Sequence, residues 1–91
     1  MYKIELYFSF ENKEQINDII EYIGIDFENH SIGKLTGYYK GIKEKSRVLI
    51  LITDNSYKTK AKISNIIGYI KHIANQECVL YTETEIKAEL R

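Results

Sequence analysis

The chain has 91 residues, 44% of them hydrophobic and 29% charged, with thirteen basic side chains against thirteen acidic ones. That length holds one core and not two, because a domain this small buries only about 60–65% of the surface its unfolded chain exposes. The mixture excludes disorder, and the single cysteine excludes both an internal disulfide and a cysteine-rich zinc centre.

Residues 2–8 alternate in character. Ile4, Leu6 and Phe8 fall on one face and Lys3, Glu5 and Tyr7 on the other, the period of a half-buried strand. Asn12 then stands three residues before Gln15, a capping box that opens a helix with the apolar stripe Ile16, Ile19, Ile20 and Ile23. Gly24 is the expected end of that helix, and 25–33 reads as a polar connection. Residues 34–41 form a second strand weakened by Gly37 and Gly41, with a turn over Gly41–Lys45. Arg47–Thr53, apolar from Val48 to Ile52, is the strongest strand of the chain. Asn55 or Ser56 caps a second helix whose stripe is Ile63, Ile66, Ile67, Ile70, Ile73 and Ala74. Gly68 costs this helix about 1 kcal/mol relative to Ala and is expected to admit a close approach of helix to sheet. Residues 77–84 alternate again, with Cys78, Leu80 and Thr82 opposite Glu77, Val79 and Tyr81.

The order βαββαβ is that of an α+β, ferredoxin-like sandwich over the single domain 1–91. Right-handed crossovers give an antiparallel four-stranded sheet of order 4-1-3-2 with two helices on one face. Composition agrees. The third strand is apolar on both faces, as a central strand is, whereas the second carries lysines and glycines and the fourth carries acids, as edges do.

Two helices on one face leave the other face bare. With Ile4, Leu6 and Phe8 turned toward the helices, Tyr7 points outward, and Tyr39, Leu49, Leu51, Val79 and Tyr81 are expected beside it. In the other register of the third strand, Val48, Ile50 and Ile52 take the place of the leucines. Such a face covers several hundred Å², enough to require a partner, and a homodimer is the expected solution. RNA recognition through sheet tyrosines is not expected, because Arg47–Thr53 lacks the aromatic signature of an RNA-binding central strand.

The zero net charge conceals a segregation. Residues 1–33 hold two basic and seven acidic side chains (2 − 7 = −5), residues 34–62 eight and two (8 − 2 = +6), and residues 63–91 three and four (3 − 4 = −1). The middle third is where an anionic partner is drawn. Lys40, Lys43, Lys45 and Arg47 flank the hairpin, and Lys58, Lys60 and Lys62 follow a helix cap whose free amides favour negative charge. A phosphate-bearing ligand, a nucleic-acid backbone or an acidic protein surface is the expected occupant, although net neutrality argues against specific nucleic-acid binding.

No metal or cofactor site is expected. His30, His72 and Cys78 show no ligand spacing, and Cys78 reads as a small core residue. No Gly-rich dinucleotide or P-loop motif occurs. The longest apolar run, Val48–Ile52, is far short of the roughly 20 residues that cross a bilayer, and Glu5 interrupts any export signal. The chain is expected to be cytoplasmic. Lysine outnumbers arginine eleven to two, a bias of AT-rich bacterial or phage genomes.

A further cluster runs through Gly37-x-Tyr39, Glu44-x-Ser46-x-Val48-Leu49-Ile50, Tyr69 and Gln76-Glu77-x-Val79-Leu80. Over residues 37–80 this resembles a group of small ferredoxin-like proteins known only as a domain of unknown function. Those carry an aromatic residue after a glycine, a Glu-x-Ser entering the third strand and a Gln before the fourth. Tyr39 stands where their pattern has Trp, and the resemblance implies a fold rather than an activity. From the residues themselves, Glu44 and Ser46 organise the hairpin and Gln76 ends the second helix, or the three form a polar cluster with a function.

The expectation from these features is a non-enzymatic, dimeric binding protein, an accessory protein of a phage or mobile element that binds and inhibits a host macromolecule. The alternatives are a binder of phosphate-bearing ligands through 34–62, and an enzyme of the dimeric α+β barrel type using Tyr7, Tyr39 or Glu44.

Overall fold

The computed structural model describes all 91 residues. The elements are β1 (Tyr2–Phe10), α1 (Lys13–Asp26), β2 (Ser31–Tyr39), β3 (Ile42–Thr53), α2 (Tyr57–Ile73) and β4 (Leu80–Glu85). The strands form one antiparallel sheet in the order β2-β3-β1-β4, which is the expected 4-1-3-2 read from the other edge. The fold is ferredoxin-like.

Local chemistry explains the element ends. Asn12 accepts from the Gln15 amide of the first turn at 2.9 Å, while Gln15 Oε1 accepts from the amide of Glu11, the residue before the cap, at 2.7 Å. α1 runs through Gly24 to Asp26 instead of ending there, because Ile23 is fully buried and anchors the last turn. Ser56 is the cap of α2, and Asp54 ties the cap together through the Ser56 amide and the Thr59 hydroxyl. At the other end of α2, Asn75 takes the left-handed conformation and the Gln76 amide reaches back to the Lys71 carbonyl at 3.0 Å, a Schellman closure with Asn in the usual glycine position. The β2–β3 hairpin turns on Lys40 and Gly41, both at positive φ, as in a two-residue primed turn. It is therefore tighter than the expected Gly41–Lys45 turn, and both strands are longer than the sequence pattern delimits.

Thirteen residues make the core between sheet and helices. β1 supplies Ile4, Leu6, Phe8 and Phe10, the helices supply isoleucines, and β3 supplies Leu49 and Leu51. The two helices are further joined by a parallel stack of Tyr22 on Tyr69, centroids 4.0 Å apart. Gly68 lies on the exposed side of α2, where a Cβ would meet nothing within 4 Å, so it permits no close approach to the sheet. Cys78 is exposed rather than in the core. No helix is long and apolar enough to cross a membrane.

The register of β3 corrects the expected open face. Leu6 pairs with Leu49 and Ile4 with Leu51, so both β3 leucines point to the helices and are buried. The outward residues of β3 are Ile42, Glu44, Ser46, Val48, Ile50 and Ile52, so the strand takes the second of the two registers the sequence allows. On β4, Tyr81 pairs with Leu6 and shares its helix-side face, leaving Leu80 and Thr82 outward. Val79 likewise packs against the core. Of the residues expected outward, Tyr7 and Tyr39 are on the open face, and Leu49, Leu51, Val79 and Tyr81 are not. Truncating Leu49 to Ala is expected to cost about 2–5 kcal/mol of unfolding free energy. Leu80→Ala, at a site 61% exposed, is expected to change it by no more than about 0.5 kcal/mol. Chemical denaturation of both variants at low protein concentration checks the pair.

Candidate functional site

The open face is built in rows across the strands. Gly33, Val48, Tyr7 and Leu80 stand in register, and the next row is Leu35, Ser46 and Ser9, where β4 has not yet begun. A second row further, Gly37 faces Glu44, and Tyr39 faces Ile42 near the turn. With the missing strand replaced by the chain leaving α2, a groove of about 720 Å³ opens here, between β2 and residues 75–78. Tyr7, Tyr39 and Leu80 are among its apolar walls, and Ser9, Glu44, Ser46 and Gln76 among its polar ones.

The polar part is hydrogen-bonded in one direction. Ser9 donates to Glu44 Oε2 at 2.7 Å, and its hydroxyl lies 3.3 Å from that of Ser46. Ser9 has one proton and gives it to the carboxylate, so Ser46 is the donor of the second bond. Glu44 Oε1 makes no hydrogen bond within the chain. Ser46 is a buried polar residue, and it sits so close to β2 that a Cβ on Gly37 would run into its hydroxyl. Glycine is thus required at 37 by a side chain across the strand pair, not by its own φ. Gln76 uses Nε2 to bond the Ala74 carbonyl at 3.2 Å, which fixes the groove wall at the end of α2.

Below this cluster, the Tyr7 hydroxyl donates to Glu5 Oε2 at 2.6 Å, and Thr82 donates to Glu5 Oε1 at 3.3 Å. The bond from Tyr7 holds the Glu5 carboxyl below the usual carboxylate range, and the same bond, leading to an anion, raises the Tyr7 phenol. Burial, together with a bond to Glu83, raises the phenol of Tyr81 on the opposite face.

The sequence-derived cations separate into two groups. Lys40, Lys43, Lys45 and Arg47 belong to the hairpin end of the sheet. Lys58, Lys60 and Lys62 lie in the first turns of α2, which follows the far end of β3 beyond Thr53. Twelve residues of strand at about 3.3 Å each lie between those ends, so no single small anion bridges the two groups. The structure does bring together Glu44, Ser46 and Gln76. It adds Ser9 and Leu35, neither of which carried a motif, though Ser9 shares the outward parity of Tyr7, and it adds Leu80 from the Gln76-Glu77-x-Val79-Leu80 stretch. His30 bonds through Nδ1 to the Phe27 carbonyl at 2.9 Å and closes a loop. No group of three or more His, Cys, Asp or Glu side chains gathers as a metal site.

No protein-family model matches the chain, and no curated protein sequence does. Solved structures do. A phage SAM lyase in its apo state aligns over 99% of this chain and 91% of its own with a TM-score of 0.73 at 16% identity. A structure of the phage SAM lyase in complex with S-methyl-5'-thioadenosine aligns over 92% and 80% with a TM-score of 0.63, also at 16% identity. A DUF3240 family protein from Shewanella baltica covers 99% and 94% with a TM-score of 0.61 at 13% identity. A divalent cation tolerance protein (CutA1) from Thermus thermophilus covers 99% and 88% with the same TM-score at 10% identity. At these identities the likeness is one of fold, and the resemblance to a ferredoxin-like domain of unknown function holds at that level.

Two outcomes test the site's construction. Gly37→Ala is expected to destabilise the chain by about 1–3 kcal/mol, and adding Ser46→Ala to it is expected to restore most of the loss, read from urea unfolding of the single and double variants. Tyr7→Phe removes the main cause of the low Glu5 value, so the Glu5 carboxyl is expected to titrate at higher pH, followed by carbon-13 NMR. The sign follows from the depressed folded value: the stabilisation is present at neutral pH and is lost as pH falls through that value. The acid sensitivity contributed by Glu5 is therefore smaller in the variant.

Proposed function

We propose that the chain assembles with copies of itself through the open sheet face and that the groove binds S-adenosylmethionine, which it cleaves as a lyase. The observation that carries this reading is the groove's chemistry: a carboxylate, Glu44, oriented by Ser9 in a groove of mixed polar and apolar walls that include Tyr7 and Tyr39, with the Lys40 ammonium over the Tyr39 ring. A carboxylate beside aromatic faces is a receptor for an organic cation, and S-adenosylmethionine carries both a sulfonium and an ammonium centre. The phage SAM lyase has the same fold over nearly the whole chain, and its complex with S-methyl-5'-thioadenosine supports the choice of ligand.

The chemistry asks little of the protein. Breaking the bond between sulfur and the methionyl Cγ sends the bonding pair to sulfur and releases the neutral thioether S-methyl-5'-thioadenosine. The substrate's own carboxylate closes onto Cγ as a lactone, so sulfonium and carboxylate charges cancel and no co-reactant is needed. Charge is lost on the way, so a site that excludes water favours the step. The groove is open on the single chain, and a second copy laid over the outward Leu35, Ile52 and Leu80 covers exposed apolar surface and dries the site. Glu44 holds the ammonium group and orients the methionyl arm, and the tyrosines border the sulfonium and the purine.

The experiment is incubation of the purified chain with S-adenosylmethionine, following S-methyl-5'-thioadenosine by mass spectrometry and binding by calorimetry. Product formation is expected, with Glu44→Gln and Tyr39→Ala each lowering kcat/KM by roughly 10- to 1,000-fold. Absence of both binding and product at millimolar ligand overturns the reading.

The exposure of Leu35, Ile52 and Leu80 on the open face favours one second reading, a phage or mobile-element accessory protein that covers this face with a host macromolecule and inhibits it without turnover. That protein remains monomeric alone and binds its host target equally well as Glu44→Gln.

A further inference from the structure

The hairpin has a second side. Because β3 alternates, Glu44 and Ser46 face the groove while Lys43, Lys45 and Arg47 face the helix layer. There α1 stops short of covering the hairpin, and a basin of about 1010 Å³ remains beside it. Its floor includes Phe10, Ile16 and Ile20, and its rim carries Lys13 from the start of α1, Lys34 from β2, and Lys43, Lys45 and Arg47 from β3.

The arrangement of these cations costs stability. Lys34 is the direct cross-strand partner of Arg47, and like charges opposite each other in an antiparallel pair repel. Lys45 is two residues along the same face, about 6–7 Å away along the strand. No carboxylate forms an ion pair with them. The one ion pair of the chain joins Arg91 to Glu89 in the exposed tail, and Glu44, the one acid lining the basin, belongs to the outward face of β3 and has its Oε2 engaged by Ser9. Arg47 is meanwhile held in place, its guanidinium 4.7 Å from the Phe10 ring centroid and bonded through Nη1 to the Ser46 carbonyl at 3.0 Å. A fixed guanidinium among converging lysines, five cations around one carboxylate with no ion pair between them, is the electrostatic form of an anion receptor.

We infer that this basin binds a compact polyanion carrying two or more phosphate groups. The size limit comes from the surroundings. Glu14, Asp18 and Glu21 follow one another at helical spacing on the exposed side of α1, so an extended polyanion leaving the basin over the helix meets negative charge. Nor does the basin offer bases a platform, since Phe10 is buried beneath Arg47. A di- or triphosphate fits between Lys34, Lys45 and Arg47 and replaces their mutual repulsion by attraction. The basin's cations face the opposite side of the hairpin from the groove, with Leu35, Thr36 and Glu44 bordering both, and this site does not rest on the groove's ligand. It also separates Lys34 and Lys13, which belong to it, from Lys58, Lys60 and Lys62, which do not.

Calorimetric titration of the full chain with inorganic tripolyphosphate tests it. Saturable binding is expected, weakening steeply as salt rises from about 50 mM to about 200 mM. The double variant Lys34→Gln, Lys45→Gln is expected to lose at least about tenfold in affinity, with its circular dichroism and its handling of S-adenosylmethionine unchanged. The triple variant Lys58→Gln, Lys60→Gln, Lys62→Gln is expected to bind as the parent does. The inference is overturned by the absence of binding at millimolar tripolyphosphate in low salt. Equal affinity in the double variant, or loss confined to the triple one, also overturns it. Tighter binding of an oligothymidylate than of tripolyphosphate overturns the compact-anion assignment in favour of nucleic acid.

Discussion

The structure hangs on the pairing of β1 with β3. Leu6 opposite Leu49 and Ile4 opposite Leu51 place four aliphatic side chains on one side of two central strands, and both helices close over them. Each of those side chains contributes about 1.5–3 kcal/mol by leaving water. A one-residue slip would turn all of β3's core residues outward, so the register is enforced by the largest favourable term the fold has. Everything functional on the hairpin then follows by parity. Glu44 and Ser46 must face the open side, and Lys43, Lys45 and Arg47 must face the helices.

That parity gives one hairpin two unlike surfaces. On the open side, Ser46 lies so near β2 that a side chain at 37 would displace its hydroxyl, which otherwise stays within reach of Ser9 and through it of Glu44. On the helix side, the same strands present cations that form no ion pair with any acid of the chain. The tight Lys40–Gly41 turn lets both surfaces run nearly to the tip. The hairpin also outreaches its neighbours, since β4 begins only opposite Tyr7 and leaves the groove without a fourth strand. Shortening one edge is a common way of blunting it; here it also opens a cavity.

Much of the fold was legible in the chain because the signals are local. The capping box at Asn12–Gln15, the isoleucine stripes and the alternation of residues 2–8 each report on a few neighbouring residues, and the βαββαβ order with right-handed crossovers leaves one sheet arrangement. Element ends were less legible. Gly24 invites a helix stop, but burial of Ile23 carries α1 two residues beyond it. Gly68 invites a close packing that α2, with that side turned to solvent, does not make. In the candidate site, Tyr7, Tyr39, Glu44, Ser46, Gln76 and Leu80 stood out as types and spacings, whereas Ser9 had no signal beyond parity.

By itself the sequence determined the order and kind of the elements, the two-layer architecture and the presence of a bare sheet face, because hydrophobic period and capping are properties of adjacent residues. The tertiary structure alone decided which face of β3 is bare. Val48–Ile52 is apolar throughout, and such a run has no period to tell inside from outside until Leu6 and Ile4 are set against it. It also decided that the basic middle third is two clusters and not one. Charge adds up along a chain without regard to direction, while a strand about twelve residues long carries its two ends to opposite ends of the molecule.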